Sequence, residues 1–116
     1  MSPVCLVLRA LNAYVQENGE PEVMFSVDTK KLYASDEYYF VALPKLIEIA
    51  LDYTRRTAAD TVLPGERMLP KLLEAEEVLE TRMEGGQKRR THHLPGDTTG
   101  PRFLWIRKGK LTEYIE

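Results

Sequence analysis

The closing part of the chain holds the side chains best suited to binding or reaction. Residues 87–116 carry 7 Lys/Arg against 3 Asp/Glu, whereas residues 1–86 carry 9 against 15. Both histidines and the single tryptophan also lie in this basic segment. Such a charge asymmetry indicates a surface polarised toward a partner, because complementary charge speeds encounter and sets orientation. The alternative is internal: the basic segment packs beside the acidic third helix, which is predicted below, and neutralises it.

Aromatic and cationic residues alternate around Lys108-Gly109, and their order predicts a C-terminal β-hairpin. Glycine supplies the positive φ that a tight two-residue turn requires. Side-chain alternation on strands 103–107 and 110–115 would place one mixed set on a single face. Rings beside cations are what a docking or base-stacking surface needs. The predicted partner-binding residues are Phe103, Trp105, Arg107, Lys110 and Tyr114. The alternative is that a helix covers these rings and the sheet is buried on both faces.

Basic residues also lead into a loop of hydroxyl and glycine residues at 94–101, which predicts a possible anion site. Guanidinium groups, hydroxyls and free backbone N–H groups all bind phosphate oxygens. The spacing matches no P-loop, because Gly-Lys-Ser/Thr is absent. The alternative interpretation is a plain solvated connection. The candidate anion- or phosphate-binding residues are Lys88, Arg89, Arg90, His92, Thr98, Thr99 and Arg102.

Signals for catalysis, metals and cofactors are weak. Cys5 lies in an apolar run, which is a poor setting for a reactive thiolate, and no Gly-x-Ser-x-Gly elbow occurs. His92 and His93 are adjacent, so on a strand they point to opposite faces and are poor joint ligands. We therefore predict no catalytic residue, no metal and no cofactor. A hydrolase or nuclease with His92 or His93 as base remains a third hypothesis.

The composition excludes two function classes. The chain has 116 residues and a formal net charge of −2, whereas a histone-like binder is strongly basic and a DNA mimic strongly acidic. No apolar run reaches the roughly 18 residues of a membrane-spanning helix. A single cysteine forms no intramolecular disulfide, and the N-terminus lacks the pattern of a signal peptide. We therefore expect one domain, 1–116, in the cytoplasm.

Three helices are predicted to position these segments. Ser2-Pro3 and Gly19 bound a helix over 3–17, although the apolar run 4–8 also fits a short strand. Pro44 opens a second helix, apolar on most of its circumference and therefore predicted to be the most buried element. It should end near Arg55-Arg56, where positive charge suits a helix C-terminus. A leucine stripe predicts an acidic third helix over 66–84, ended by Gly85-Gly86.

Strand patterns over 22–42 predict an antiparallel meander that pairs with the basic segment. The predicted fold is α+β: an antiparallel sheet from segments 22–42 and 88–115, with three helices packed largely on one face. The preferred function is a small non-enzymatic binding protein, of inhibitor, immunity or adaptor type, that docks on a larger protein as a monomer or homodimer. The alternative is a nucleic-acid or nucleotide-phosphate binding module that uses segment 88–110.

Overall fold

The N-terminal helix has the predicted caps. A computed structural model describes residues 2–19 and 32–114, and its first element is helix α1, Pro3–Asn18. The side chain of Ser2 accepts a hydrogen bond from the backbone N–H of Cys5 at 3.2 Å, and Gly19 ends the helix at a φ of 83°. The predicted helix is confirmed, and the rival strand at 4–8 is wrong. The strand and turn predicted over 23–31 lie outside the described residues.

The main sheet has four antiparallel strands. They are β1 (Leu32–Ala34), β2 (Tyr38–Val41), β5 (His92–His93) and β6 (Arg102–Arg107), in the spatial order β1-β2-β6-β5. Ser35 to Glu37 form the predicted turn between β1 and β2. Strand β6 lies between β2 and β5, so it joins the C-terminal segment to the β1–β2 pair.

The two faces of the sheet bury different clusters. Strand alternation sends Leu104 and Ile106 of β6 into the large core shared with the helices. Phe103 and Trp105 point to the other face, into a smaller cluster with Phe40. The expectation that the helices pack largely on one face is confirmed.

Helix α2 (Leu43–Thr57) is less buried than its composition predicts. It buries four residues, whereas α1 buries six. Leu51 faces outward and is 42% exposed. The prediction that this is the most buried element is therefore wrong, because one flank of the helix is uncovered. Its basic last turn, Arg55 and Arg56, is as predicted.

The acidic third helix is much shorter than predicted. Helix α3 spans Leu69–Ala75, and Glu77 adopts a left-handed backbone with a φ of 62°. This break turns the chain so that Val78 and Leu79 enter the core, where Leu79 forms a β-bridge with Ile106. The helical stripe over 66–84 was misleading because its later leucine belongs to an extended segment.

Gly85-Gly86 forms a β-turn and does not end a helix. The strands β3 (Arg82–Glu84) and β4 (Gln87–Arg89) pair on either side of it. Both glycines have a positive φ, 57° at Gly85 and 79° at Gly86. A two-residue turn between antiparallel strands favours positive φ at these positions, which glycine adopts without strain. Residues 82–89 are called the β3–β4 hairpin below.

The predicted C-terminal hairpin is wrong. Arg107 ends β6, and the chain continues as a short helix α4 (Lys108–Leu111) and a 3-10 turn, Thr112–Tyr114. Leu111 is buried, and its carbonyl oxygen accepts a hydrogen bond from Asn12 of α1 at 2.9 Å. Because residues 108–111 are helical, Leu111 is buried in the core on the face of the sheet that the helices cover.

The fold class is α+β, as predicted. Residues 2–19 and 32–114 form four α-helices, the four-stranded sheet and the two-stranded β3–β4 hairpin. None of these helices is both long enough and apolar enough to cross a membrane.

Candidate binding site

A pocket of about 320 Å³ lies where the β3–β4 hairpin meets strand β5 and the loop after it. We call it the His92 pocket. It combines one indole, two imidazoles, one guanidinium, two carboxyl groups and a hydroxyl. The side chains that supply them are Trp105, His92, His93, Arg82, Glu84, Asp97 and Thr98.

Unpartnered polar atoms concentrate around this pocket. Among the described residues, five buried side-chain nitrogen or oxygen atoms lack a hydrogen-bond partner, and four belong to residues that line it. A buried polar atom without a partner costs about 1–3 kcal/mol, so such atoms are rare in folded proteins. The four are Nδ1 of His92, Nδ1 of His93, Oδ2 of Asp97 and Nε1 of Trp105.

The ring of His92 is anchored through its Nε2 atom. Its Nε2 lies 2.9 Å from the carbonyl oxygen of Glu80, and a carbonyl only accepts hydrogen bonds. Nε2 therefore carries a hydrogen and donates it to this carbonyl. The residue is 2% exposed, and Nδ1 lies 3.9 Å from Oε2 of Glu84. Nδ1 of His92, a residue that lines the pocket, has no hydrogen-bond partner among the described residues.

Glu84 is fixed beside the pocket as a carboxylate. Nη2 of Arg102 lies 2.5 Å from its Oε2, and the same guanidinium donates to the carbonyl of Thr91. The hydrogen bond from Arg102 lowers the pKa of Glu84, although partial burial opposes this shift. Arg102, predicted as an anion ligand, therefore holds a carboxylate of its own chain.

Asp97 organises the loop that closes the pocket. Its Oδ1 accepts hydrogen bonds from the backbone N–H groups of Thr99 and Gly100, at 3.2 and 3.1 Å. This Asx turn leaves Oδ2 buried without a partner. Gly100 approaches so closely that a Cβ there would collide with Oδ2. The loop therefore has a defined shape that depends on one side chain.

Two of the predicted partner-binding rings are buried. Phe103 is 2% and Trp105 6% exposed, and the guanidinium of Arg82 lies over the Trp105 ring, 4.5 Å from its centroid. Arg107 donates to Oε1 of Glu80 at 3.0 Å and to the carbonyl of Glu77 at 2.7 Å. The expected water-facing stripe is therefore wrong, because the second face of the sheet has its own small core.

The other two predicted partner-binding residues lie away from the rings. Lys110 is on α4, and Tyr114 is in the 3-10 turn after it. The Tyr114 hydroxyl donates to Oε2 of Glu76 at 2.7 Å, and this bond raises the pKa of Tyr114. A role of these residues in partner binding stays a prediction, but they share no surface with Phe103 and Trp105.

Three of the four cationic side chains among the predicted anion ligands, Lys88, Arg90 and Arg102, contact carboxylates of the same chain. Lys88 and Arg90 both contact Glu74 of α3, with Nε of Arg90 2.8 Å from Oε1. Their hydrogen bonds, Lys88 first, lower the pKa of Glu74. The internal-pairing interpretation of the charge asymmetry is thereby confirmed for Lys88, Arg90, Arg102 and Arg107.

The remaining anion candidates are scattered. Arg89 is exposed on β4, and the backbone N–H of Thr99 belongs to the Asx turn. His92 and Thr98 are the two that line the pocket. The anion assignment stays a prediction, although the structure does not bring its seven residues together.

Three residues of the pocket escaped the sequence analysis: Arg82, Glu84 and Asp97. The Gly-Gly dipeptide was the available signal for the first two, since it is also a hairpin turn. Gly-Asp-Thr-Thr-Gly was the signal for an Asx turn at Asp97. The part of the chain that the structure describes holds no group of three His, Cys, Asp or Glu residues placed to bind a metal ion.

Comparison with known proteins identifies no relative. No family model matches the chain, and no curated protein or solved structure matches it. What the protein does must therefore follow from its own residues.

Proposed function

We propose that the chain is a small non-enzymatic binding protein, of inhibitor, immunity or adaptor type, that docks on a larger protein in the cytoplasm. Its docking surface consists of the β3–β4 hairpin and the His92 pocket beside it. The observation that carries this proposal is that residues lining one pocket hold four of the five buried side-chain atoms without a hydrogen-bond partner among the described residues. A partner that supplies hydrogen bonds there would pair polar atoms that the described residues leave unpaired.

The β3–β4 hairpin supplies the exposed part of the surface. Every residue of both strands is exposed, and Met83 is 70% exposed. Methionine is enriched in protein interfaces because its flexible thioether fits irregular partner surfaces. The positive-φ glycines and the ion pair between Lys88 and Glu74 hold the hairpin in one shape. A pre-shaped surface loses less conformational entropy on binding.

Charge pairing favours a protein partner over a nucleic acid. Nucleic-acid affinity comes largely from cations that displace counterions from phosphates. Four cations of the basic segment already contact glutamates of the same chain. Few cations therefore remain to follow a phosphate backbone.

One observation keeps the hydrolase as a second candidate. His92 has its Nε2 anchored on a backbone carbonyl and its Nδ1 3.9 Å from Oε2 of Glu84, an imidazole–carboxylate arrangement that general acid–base catalysis uses. Its side chain is 3% exposed, so a substrate must displace neighbouring atoms to reach it. Hydrolysis of simple ester or phosphodiester substrates that disappears in His92→Gln, but persists in Val62→Asp, would favour this candidate.

A matched pair of exposed apolar residues tests the docking proposal. Met83 is 70% and Val62 84% exposed, and Val62 lies in the connection after α2, outside the docking surface. Tagged Met83→Asp, Val62→Asp and unchanged protein are used to capture partners from lysate of the native host. We expect Met83→Asp to lose a defined protein at least about tenfold, which corresponds to about 1.4 kcal/mol, while Val62→Asp retains it.

Two results would overturn the docking proposal. The first is equal capture by Met83→Asp and the unchanged protein. The second is recovery of nucleic acid as the retained partner, with binding that weakens steeply as salt rises.

A further inference from the structure

We propose that the outer face of helix α2 is the interface of a weak, symmetric homodimer, in which the α2 helices of two copies pack antiparallel. The inference is independent of the docking surface, because this face shares no residue with the β3–β4 hairpin or the His92 pocket. It rests on an exposed stripe of α2, on a groove beside that stripe, and on two charges that a second copy complements.

The outer face of α2 is a continuous exposed stripe. Between Pro44 and Arg55 the exposed residues recur at positions i, i+4, i+7, i+8 and i+11, which lie on one side of a helix. They are Pro44, Glu48, Leu51, Asp52 and Arg55. The stripe is about 16 Å long, at 1.5 Å per residue. Leu51 lies at its middle and is 42% exposed, although this side of a surface helix is normally polar.

An open groove of about 400 Å³ lies beside the stripe. Tyr14 of α1 and Ile47 of α2 line it together with the stripe residues, so its lining includes ring and aliphatic surface. Two helices pack when side chains of one enter the grooves of the other. The Leu51 side chain of a second copy is a suitable occupant, since this apolar group is otherwise left in water.

Two opposite charges flank Leu51 on the stripe. Glu48 has 72% of its side chain exposed, and its Oε1 lies 3.6 Å from Nζ of Lys45, which is a loose contact. Arg55 is exposed, and no carboxylate of the described residues forms an ion pair with it. The face therefore offers one acidic and one basic group to whatever covers it.

A second copy turned end to end complements both charges. A two-fold axis between Leu51 and Asp52 sets Glu48 of each copy level with Arg55 of the other, because both lie at the same distance from the axis. The two Leu51 side chains then meet at the axis. The two Asp52 carboxylates also approach, but each is paired in its own chain, with Oδ2 3.0 Å from Nε of Arg56.

Other occupants match this face less well. A parallel pair of α2 helices would set Glu48 against Glu48 and Arg55 against Arg55, and like charges repel. A partner segment of one charge sign would repel one of the two groups. Because the stripe is short and its charges are exposed, we expect a dimer that forms only at raised concentration.

Sedimentation equilibrium of the purified, full-length protein at low ionic strength measures this dimer. We expect monomer at about 1 µM and a dimer fraction that grows between about 10 µM and 1 mM, as for a small interface. Glu48→Arg and Arg55→Glu each set like charges against each other across the interface, and Leu51→Asp places a charge at the axis. Each of the three should weaken the dimer at least about tenfold.

A mixture of the two charge-reversed variants is the decisive measurement. Neither Glu48→Arg nor Arg55→Glu pairs well with itself, but together they should form a heterodimer, because each contact across that interface again joins an acid and a base. The matched controls are Glu66→Arg and Arg67→Glu, which make the same charge changes at exposed positions outside the stripe. Alone and mixed, the controls should dimerise as the unchanged protein does.

Four results would overturn the dimer proposal. They are a protein that stays monomeric up to about 1 mM, a dimer that Leu51→Asp leaves intact, reversed variants that do not associate when mixed, and controls that lose the dimer equally. A monomer would mean that something other than a second copy covers the face. Capture by Met83→Asp is measured separately, so either the dimer or the docking surface can fail while the other stands.

Discussion

The guanidinium carbon of Arg82 lies 4.5 Å from the ring centroid of Trp105. The two residues come from different elements, the β3–β4 hairpin and strand β6. Arg82 also bonds Glu80, which in turn holds Arg107. This contact thus ties the exposed hairpin to the second core of the sheet and covers the pocket between them.

Replacement of Arg82 by Gln should loosen this cover. We expect a loss of about 0.5–1 kcal/mol of unfolding free energy, the usual value of a partly exposed cation–π contact. Trp105 should become easier to quench with acrylamide. The control is Arg89→Gln, which removes the cross-strand partner of Arg82 at an exposed position. Equal quenching in both variants would contradict the assigned cover.

Stability should fall in acid, and Glu80 should contribute. Burial raises its pKa, but the hydrogen bonds and charges of Arg107 and Arg82 together outweigh burial, so the folded pKa lies below the ordinary value of 4.5. A lowered carboxyl pKa stabilises the fold above the unfolded pKa, and this stabilisation is lost as pH falls through the folded pKa. Glu80→Gln should therefore lose about 1 kcal/mol at pH 7 and progressively less below about pH 4.5.

Chemical unfolding from pH 3 to pH 7 measures this effect. Glu66→Gln is the control, at an exposed turn where the described residues show no ion pair to it. Its curve should follow that of the unchanged protein. A gap between Glu80→Gln and the unchanged protein that stays constant with pH would contradict the assignment.

Gly86→Ala should destabilise the β3–β4 hairpin through backbone strain alone. Gly86 has a φ of 79°, and a Cβ there meets no atom within 4 Å. A left-handed backbone costs a residue with a Cβ about 1–2 kcal/mol. Gly65→Ala is the control, because its Cβ also enters open space but its φ is not left-handed. Amide exchange of residues 82–89 should accelerate only in Gly86→Ala.

Gly109→Ala distinguishes the observed C-terminal helix from the hairpin that the sequence suggests. Gly109 lies inside α4, and a Cβ there meets open space. Alanine in a helix interior is favoured over glycine by about 0.5–1 kcal/mol. The melting temperature should therefore rise. A fall would indicate the positive φ of a tight turn at this position.

The elements that were predicted correctly are those whose bounds are set by residues within the element itself. The Ser2-Pro3 start and the Gly19 stop predicted α1 correctly, and the basic last turn predicted the end of α2. The β-forming residues at 38–41 and 103–107 predicted two paired strands. Each of these signals lies within the element that it describes.

Where the predicted secondary structure is wrong, contacts with distant parts of the chain set the conformation. Leu79 fits a helical stripe in sequence, but its bridge to Ile106 pulls it into the sheet. Leu111 fits a strand pattern in the sequence. In the structure it belongs to helix α4 and is buried in the core that includes residues of α1. The His92 pocket was equally hidden, because it joins three separate stretches of the chain that meet only in the folded protein: the β3–β4 hairpin, residues 92–98 and Trp105.

The most direct test of the docking surface is site-specific photo-crosslinking in cells of the native host. A photoreactive amino acid is placed at Met83 in one sample and at Val62 in the other, since both side chains are largely exposed. The proposed function predicts a discrete crosslinked protein from position 83 and none of that mass from position 62. The same products from both positions, or no product from position 83, would contradict it.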